Sequence, residues 1–222
     1  MLESIYSAGE CTGEKKVEVV MKKQSGFTLI ELVIVVVILG FLAVTAIPKF
    51  LDLTDQAKQA NIEGMAGGFA TGISLARAQW EAEGRENDGA VPPKNFVNYD
   101  GVTLYLTVED PVNNIRPGYA LGTTATASIA AVNCISVWNS LFQQPPTIAE
   151  YSGTIAASVN YIAATNTTNA NNPYCIYYLK ETLDKNVAGG YADPGTLITK
   201  GNNFTYSPAN STVAININVN PS

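Results

Sequence analysis

From Phe27 to Ile47 the chain reads "FTLIELVIVVVILGFLAVTAI", 21 residues with one charge, Glu31. As an α-helix this stretch is about 31 Å long, enough to cross the hydrocarbon of a bilayer. Lys22 and Lys23 stand just before it, and Lys49 with Asp52 and Asp55 just after. The positive-inside bias puts the N-terminus in the cytoplasm and the remainder of the chain outside. A carboxylate inside a membrane costs about 2.5–3.5 kcal/mol at a helix centre on insertion scales, and less near an end. Glu31 therefore needs a partner.

Two ordinary readings compete. In a secretory signal peptide, "MKKQ" is the n-region and Val44-Thr45-Ala46 the small-residue cleavage site. Against it, the apolar run exceeds a usual h-region and contains Glu31. A plain signal-anchor helix accounts for the length and leaves Glu31 unexplained.

The string "SGFTLIEL" (25–32), followed by "VIVVVILGFLAVTAIPKF", resembles the N-terminus of type IV pilins, the class III signal of prepilins. Glycine at 26, an aromatic at 27 and glutamate five residues past Gly26 carry the resemblance. More narrowly, "LGFLAVTAIPKFLDLTDQA" (39–57) is similar to the mannose-sensitive haemagglutinin (MSHA) type of pilin. The likeness is strong over residues 21–60 and only general beyond. It implies cleavage between Gly26 and Phe27 by a prepilin peptidase, which also N-methylates Phe27. It implies partners: the assembly machinery of the inner membrane, and further copies of the same chain in a surface filament. Glu31 would then meet the Phe27 amine of an adjacent subunit, with pairing to its own N-terminus as the rival geometry. The resemblance also implies that the helix between Gly40 and Pro48 loses helicity on entering a filament; a static kink at Pro48 is the alternative.

Residues 1–20 do not fit that picture. Leaders of this class are short, and "MKKQSG" from Met21 is six residues. "EKKVEVV" reads as translated ribosome-binding DNA, so the expected start is Met21, and Cys11 is then never made. Residues 1–26 hold four lysines and four glutamates, so the remainder keeps the net charge of -6. An acidic body with scattered charges argues against nucleic acid as a partner. Cys134 and Cys175 are left as an even pair, which suits a disulfide in an oxidising compartment; two buried free thiols are the alternative. There is no histidine, which removes Ser-His-Asp and Cys-His catalysis and the commonest zinc ligand.

The expected organisation is a leader at 1–26, a transmembrane or filament-core helix at 27–47, an amphipathic continuation at 48–84 and a globular head at 85–222. In the continuation Ile62, Met65, Phe69, Ile73, Ala76 and Trp80 recur at spacings of three and four, one apolar face. Gly64, Gly67, Gly68 and Gly72 weaken the helix by about 1 kcal/mol each when exposed, which points to close approach of other backbone or to tolerated weak spots. The head reads as α+β. "VTLYLTV" (102–108), residues 154–165, "CIYYLK" (175–180) and residues 203–219 with a turn at 208–210 are expected strands; residues 126–142 suit a short second helix, and 166–173 a polar loop. The resemblance supplies the pilin architecture: a long helix laid on an antiparallel sheet.

No phosphate loop, dinucleotide turn or metal-spaced Cys/His cluster occurs, and no cofactor is expected. "YADPG" (191–195) is a turn before it is a cation site. The sequons at Asn166, Asn203 and Asn210 are expected by chance in so Asn-rich a chain. Tyr105, Tyr119, Tyr151 and Tyr174 are candidates for stacking on glycans or for packing. The expected function is therefore that of a structural filament subunit, not an enzyme, serving adhesion, with motility or biofilm initiation as further roles. A minor pilin or a type II secretion pseudopilin is the nearest alternative, and a secreted or tethered carbohydrate-binding protein the alternative of another class.

Overall fold

The computed structural model describes residues 27–218. The expected start at Met21, the leader residue Gly26 and Cys11 lie outside the described residues. The chain divides after Pro48 into two compact units, the second being Lys49–Ser222.

Helix α1, Leu29–Ala82, runs through both units and contains Pro48. In the first unit it is apolar on every side and its large side chains, from Leu29 to Ile47, are exposed. Among the described residues it is the one helix long and apolar enough to cross a membrane. An all-round apolar helix with nothing packed on it belongs in lipid or among other such helices.

In the second unit α1 becomes one-sided. Ile62, Ala66, Phe69, Gly72, Ile73, Ala76 and Trp80 are buried, and Met65 packs against the same core. The helix ends in a Schellman turn. Gly84, at φ 86°, takes the left-handed conformation; Arg85 N donates to Trp80 O (2.9 Å) and Gly84 N to Glu81 O (3.2 Å). Of the four glycines in this part of the helix, Gly72 permits a close approach: a Cβ there would lie 3.3 Å from the Leu141 carbonyl oxygen. At Gly68 the nearest atom is a Phe142 ring carbon at 3.4 Å, and Gly64 and Gly67 face open space.

Two sheets follow. β1 (Asn95–Tyr99), β2 (Val102–Leu106) and β3 (Ala120–Gly122) form an antiparallel three-stranded sheet. β4 (Ile148–Glu150), β5 (Tyr161–Asn166), β6 (Tyr174–Leu179), β7 (Asn203–Ser207) and β8 (Thr212–Asn216) form the second, in that order. Its pairings are antiparallel except β4 on β5. Helix α2, Cys134–Leu141, sits between strands β3 and β4 in the chain. The core centres on Phe69, whose ring lies 5.1–6.3 Å from those of Trp138, Phe142, Tyr177, Phe204 and Tyr206. The outer face of the five-stranded sheet carries a second cluster, Ile162, Ile176, Tyr178 and Leu183.

The α+β class, the apolar helix and the antiparallel sheet region follow the expectation; several boundaries do not. The expected helix at 126–142 is a 3₁₀ turn at Ile129–Ala131 followed by α2. Asn133 separates them because its side chain accepts from Ser136 N at 2.9 Å and starts a new helix. The expected strand at 154–165 begins only at Tyr161, since the preceding residues turn back so that Thr147 can accept from Asn160 N. Strand β2 stops at Leu106, with Leu104 and Leu106 buried but Val102 exposed. Of the expected stretch 203–219, residues 203–216 form the β7–β8 hairpin, turning at 208–211.

Candidate functional site

The first turn of α1 is built by two residues. Thr28 backbone N–H and its hydroxyl both donate to the Glu31 carboxylate at 2.9 Å, and Glu31 N donates to Thr28 Oγ1 at 3.3 Å. This is a reciprocal capping box: the threonine satisfies a helix N–H while the glutamate reaches back to the cap's own N–H. Two backbone donors that would otherwise be unpaired at a helix end are thereby satisfied inside one chain. Phe27 precedes the cap and is 90% exposed. The Thr-Leu-Ile-Glu spacing spells this box in the sequence, although Thr28, being uncharged, is not the ionic partner that a carboxylate in an apolar run calls for.

The remaining candidates are spread along α1 and the head. Gly40 is helical with open space around it, and residues 40–48 are helical throughout. Pro48 lies inside the helix, where its missing N–H leaves the Val44 carbonyl without its usual donor. Just before it, Thr45 Oγ1 donates to Leu42 O at 2.9 Å. Cys134 and Cys175 are joined by a disulfide with Cα atoms 5.5 Å apart. It ties the first residue of α2 to β6. The adjacent Tyr177 hydroxyl donates to Cys134 O at 2.9 Å, and Tyr206 to Ala120 O at 3.0 Å. Burial pushes both phenols well above their ordinary range.

The tyrosines considered for glycan stacking are engaged in packing. Tyr119 is buried and hydrogen-bonded to Arg77. The Tyr105 ring lies tilted beside that of Phe96, centroids 6.3 Å apart, Tyr174 accepts from Asn166 at 3.0 Å, and the Tyr151 hydroxyl donates to Tyr191 O at 3.3 Å. At the end of α1, Arg85 and Arg77 donate to Glu81 and hold its carboxyl below the usual range. Among the described residues no group of His, Cys, Asp and Glu is placed to hold a metal.

Residues 21–47 match the family described as the prokaryotic N-terminal methylation motif. The chain is 49% identical over 57 residues to the type IV narrow pilus major component PilA5 of Thermus thermophilus, 26% of this chain and 49% of that protein. It thus spans about half the length of that relative. It is 34% identical over 110 residues to the type II secretion system core protein G of Pseudomonas aeruginosa, 44% of this chain and 77% of that one. With the type IV major pilin PilE1 of Neisseria gonorrhoeae it shares 35% over 109 residues, 44% of this chain and 66% of the relative. No solved structure matches the chain at a significant level. Motif, apolar helix, antiparallel sheet region and these relatives agree: the chain belongs to the family of type IV pilins and type II secretion pseudopilins.

Proposed function

We infer that the chain is the structural subunit of a type IV pilus, of the major-pilin kind. It is inserted through residues 27–47 with its N-terminus cytoplasmic, cut after Gly26, N-methylated on Phe27 and polymerised into an extracellular filament. The observation that carries this reading is the first unit: an all-round apolar helix, exposed along its length, whose one carboxylate sits in the first turn. In a bundle of such helices apolar surface is covered, and the end of each helix lies among its neighbours. The Phe27 amine is costly there alone and much less so beside Glu31 of an adjacent copy. The Thr28 box supports this order of events: it holds the carboxylate in one place, hydrogen-bonded, before a neighbour arrives. Pro48 and Gly40 bound the part of the helix that would yield during packing. Adhesion to surface glycans, motility and biofilm initiation are roles such a filament would serve, and the MSHA-like string at 39–57 favours adhesion.

The test is intact-mass and N-terminal analysis of sheared surface filaments. The expected species begins at methylated Phe27 and carries one disulfide. A soluble chain cut after Ala46 refutes the reading. The coverage of core protein G favours a second reading, a pseudopilin. A chain with the same processing but scarce in sheared filaments would establish it.

A further inference from the structure

A helical filament of identical subunits needs two different, mutually complementary patches on each chain, because a self-complementary patch closes a dimer. The head carries two patches suited to that. The first is a groove of about 880 Å³ walled by Val91, Pro92, Val108, Pro111, Ile115 and Ile129, among others, and bordered by Ala170 and Asn171 of the β5–β6 loop. Val91, which lines it, is 99% exposed. Among the described residues no aromatic ring lines it. Several of its polar side chains are already engaged: Lys94 with Asp88 at 2.8 Å, Asp110 with Asn113 and Val112 N, Thr126 with Ser128 N. A sugar site wants an aromatic platform and free converging polar groups; an aliphatic slot with spent polar groups fits an aliphatic protein tip. The uncommitted charge at the rim is negative, Glu109 being exposed and outside every ion pair among the described residues.

The second patch is the turn 184–192. Ala192 N donates to Asp184 O (2.8 Å) and Asn186 N to Gly190 O (2.7 Å), so the segment doubles back and presents Val187 at its tip, fully exposed. Its base is fixed: Tyr151 donates to Tyr191 O, and Lys185 Nζ lies 3.6 Å from the centre of the Tyr191 ring. Lys185 makes no ion pair among the described residues. This turn follows the Leu179 end of β6, whereas the groove borders the loop entering β6 at Tyr174. The two roots are a strand apart, about 20 Å, and no residue of the turn lines the groove of its own chain.

We propose that the groove beside Val91 is a socket for the Val187 tip of a second copy, with Lys185 against Glu109. This rests on the filament reading above. The contact is head-to-tail and supplements the helix bundle by fixing the rotation of each head on its neighbour. The apolar tip is covered and the rim charges match.

The experiment uses intact filaments from the full chain carrying Val91→Cys together with Val187→Cys. Mild oxidation should give a ladder of covalent oligomers, while either single variant gives monomer. Filaments of normal yield with no ladder overturn the socket and leave the filament reading standing. Absence of wild-type filaments overturns both. As an independent arm, Lys185→Glu places a like charge against Glu109 and should lower filament yield roughly tenfold, with recovery in the charge-swapped double variant carrying Glu109→Lys. Lys185→Glu filaments at wild-type yield, or no recovery in the double variant while the head keeps its native disulfide, would also overturn the socket.

Discussion

Phe69 and Leu75 lie six residues apart on α1, both apolar, and truncation separates the helix's two faces. Phe69 is fully buried, with five aromatic rings around it. Phe69→Ala removes the ring from a packed site and leaves a cavity, a change that costs about 3–5 kcal/mol. The aromatic neighbours place it at the upper end, because tilted ring pairs add about 0.5–1.5 kcal/mol each beyond burial. Leu75 is 55% exposed, so Leu75→Ala should stay within about 0.5 kcal/mol. For a unit of this size about 2–4 °C accompany each kcal/mol, which gives a fall of about 10–20 °C for Phe69→Ala and almost none for Leu75→Ala. Near-UV circular dichroism during heating of the detergent-solubilised chain reads both. Equal shifts, or a fall of under about 3 °C for Phe69→Ala, would refute the assignment of the packed face.

Replacing both Cys134 and Cys175 by alanine opens a loop of sequence separation 41 and should cost about 4 kcal/mol in the chain-entropy account; denaturant titration measures it. Asp88 accepts from Lys94 Nζ, Lys94 N and Ala90 N, which together depress its pKa to about 2. The stability it contributes is therefore complete above its unfolded value of about 4 and is lost as pH falls towards about 2. Asp88→Asn should remove that part of the pH dependence of the midpoint within this window alone. Glu31→Ala should insert, be cleaved and fold yet polymerise poorly, with Glu31→Gln intermediate; wild-type filament yield from Glu31→Ala in a shearing assay would count against the ion pair.

The stripe from Ile62 to Trp80 was legible because a helix on a sheet must repeat its apolar residues every three or four positions, and nothing local competes. Strands β6 and β7 were legible for the same kind of reason: "CIYYL" and "NFTYS" are β-branched and aromatic runs between turn residues. Strands β3 and β4, with three residues each, carry too little pattern to rise above their loops. Strand β4 is also parallel to β5, a pairing set by the Thr147 and Asn160 hydrogen bonds and not by alternation. At 126–142 the apolar content concealed a break that the Asn133 cap makes. In the first turn of α1 the unusual charge drew attention from Thr28, whose role depends on its distance from Glu31 and not on its own character.

The disulfide joins α2 to β6 and leaves α1 out. Helix α1 is held to the head by side-chain packing, by hydrogen bonds of Asn61, Arg77 and Gln79 with Tyr161, Tyr119 and Asn98, and by the chain that leaves it at Ala82, with no covalent cross-link among the described residues. In a filament gripped through its helices and pulled at its surface, load passes first through the Ile62–Trp80 layer in shear. Once that layer parts, the polypeptide pays out as an extensible tether, but the segment enclosed by the bridge cannot. At about 3.3–3.6 Å per residue, the separation of 41 residues withholds about 140 Å of contour. In the proposed filament the bridge would therefore limit how far a loaded subunit stretches before the force is returned to its neighbours.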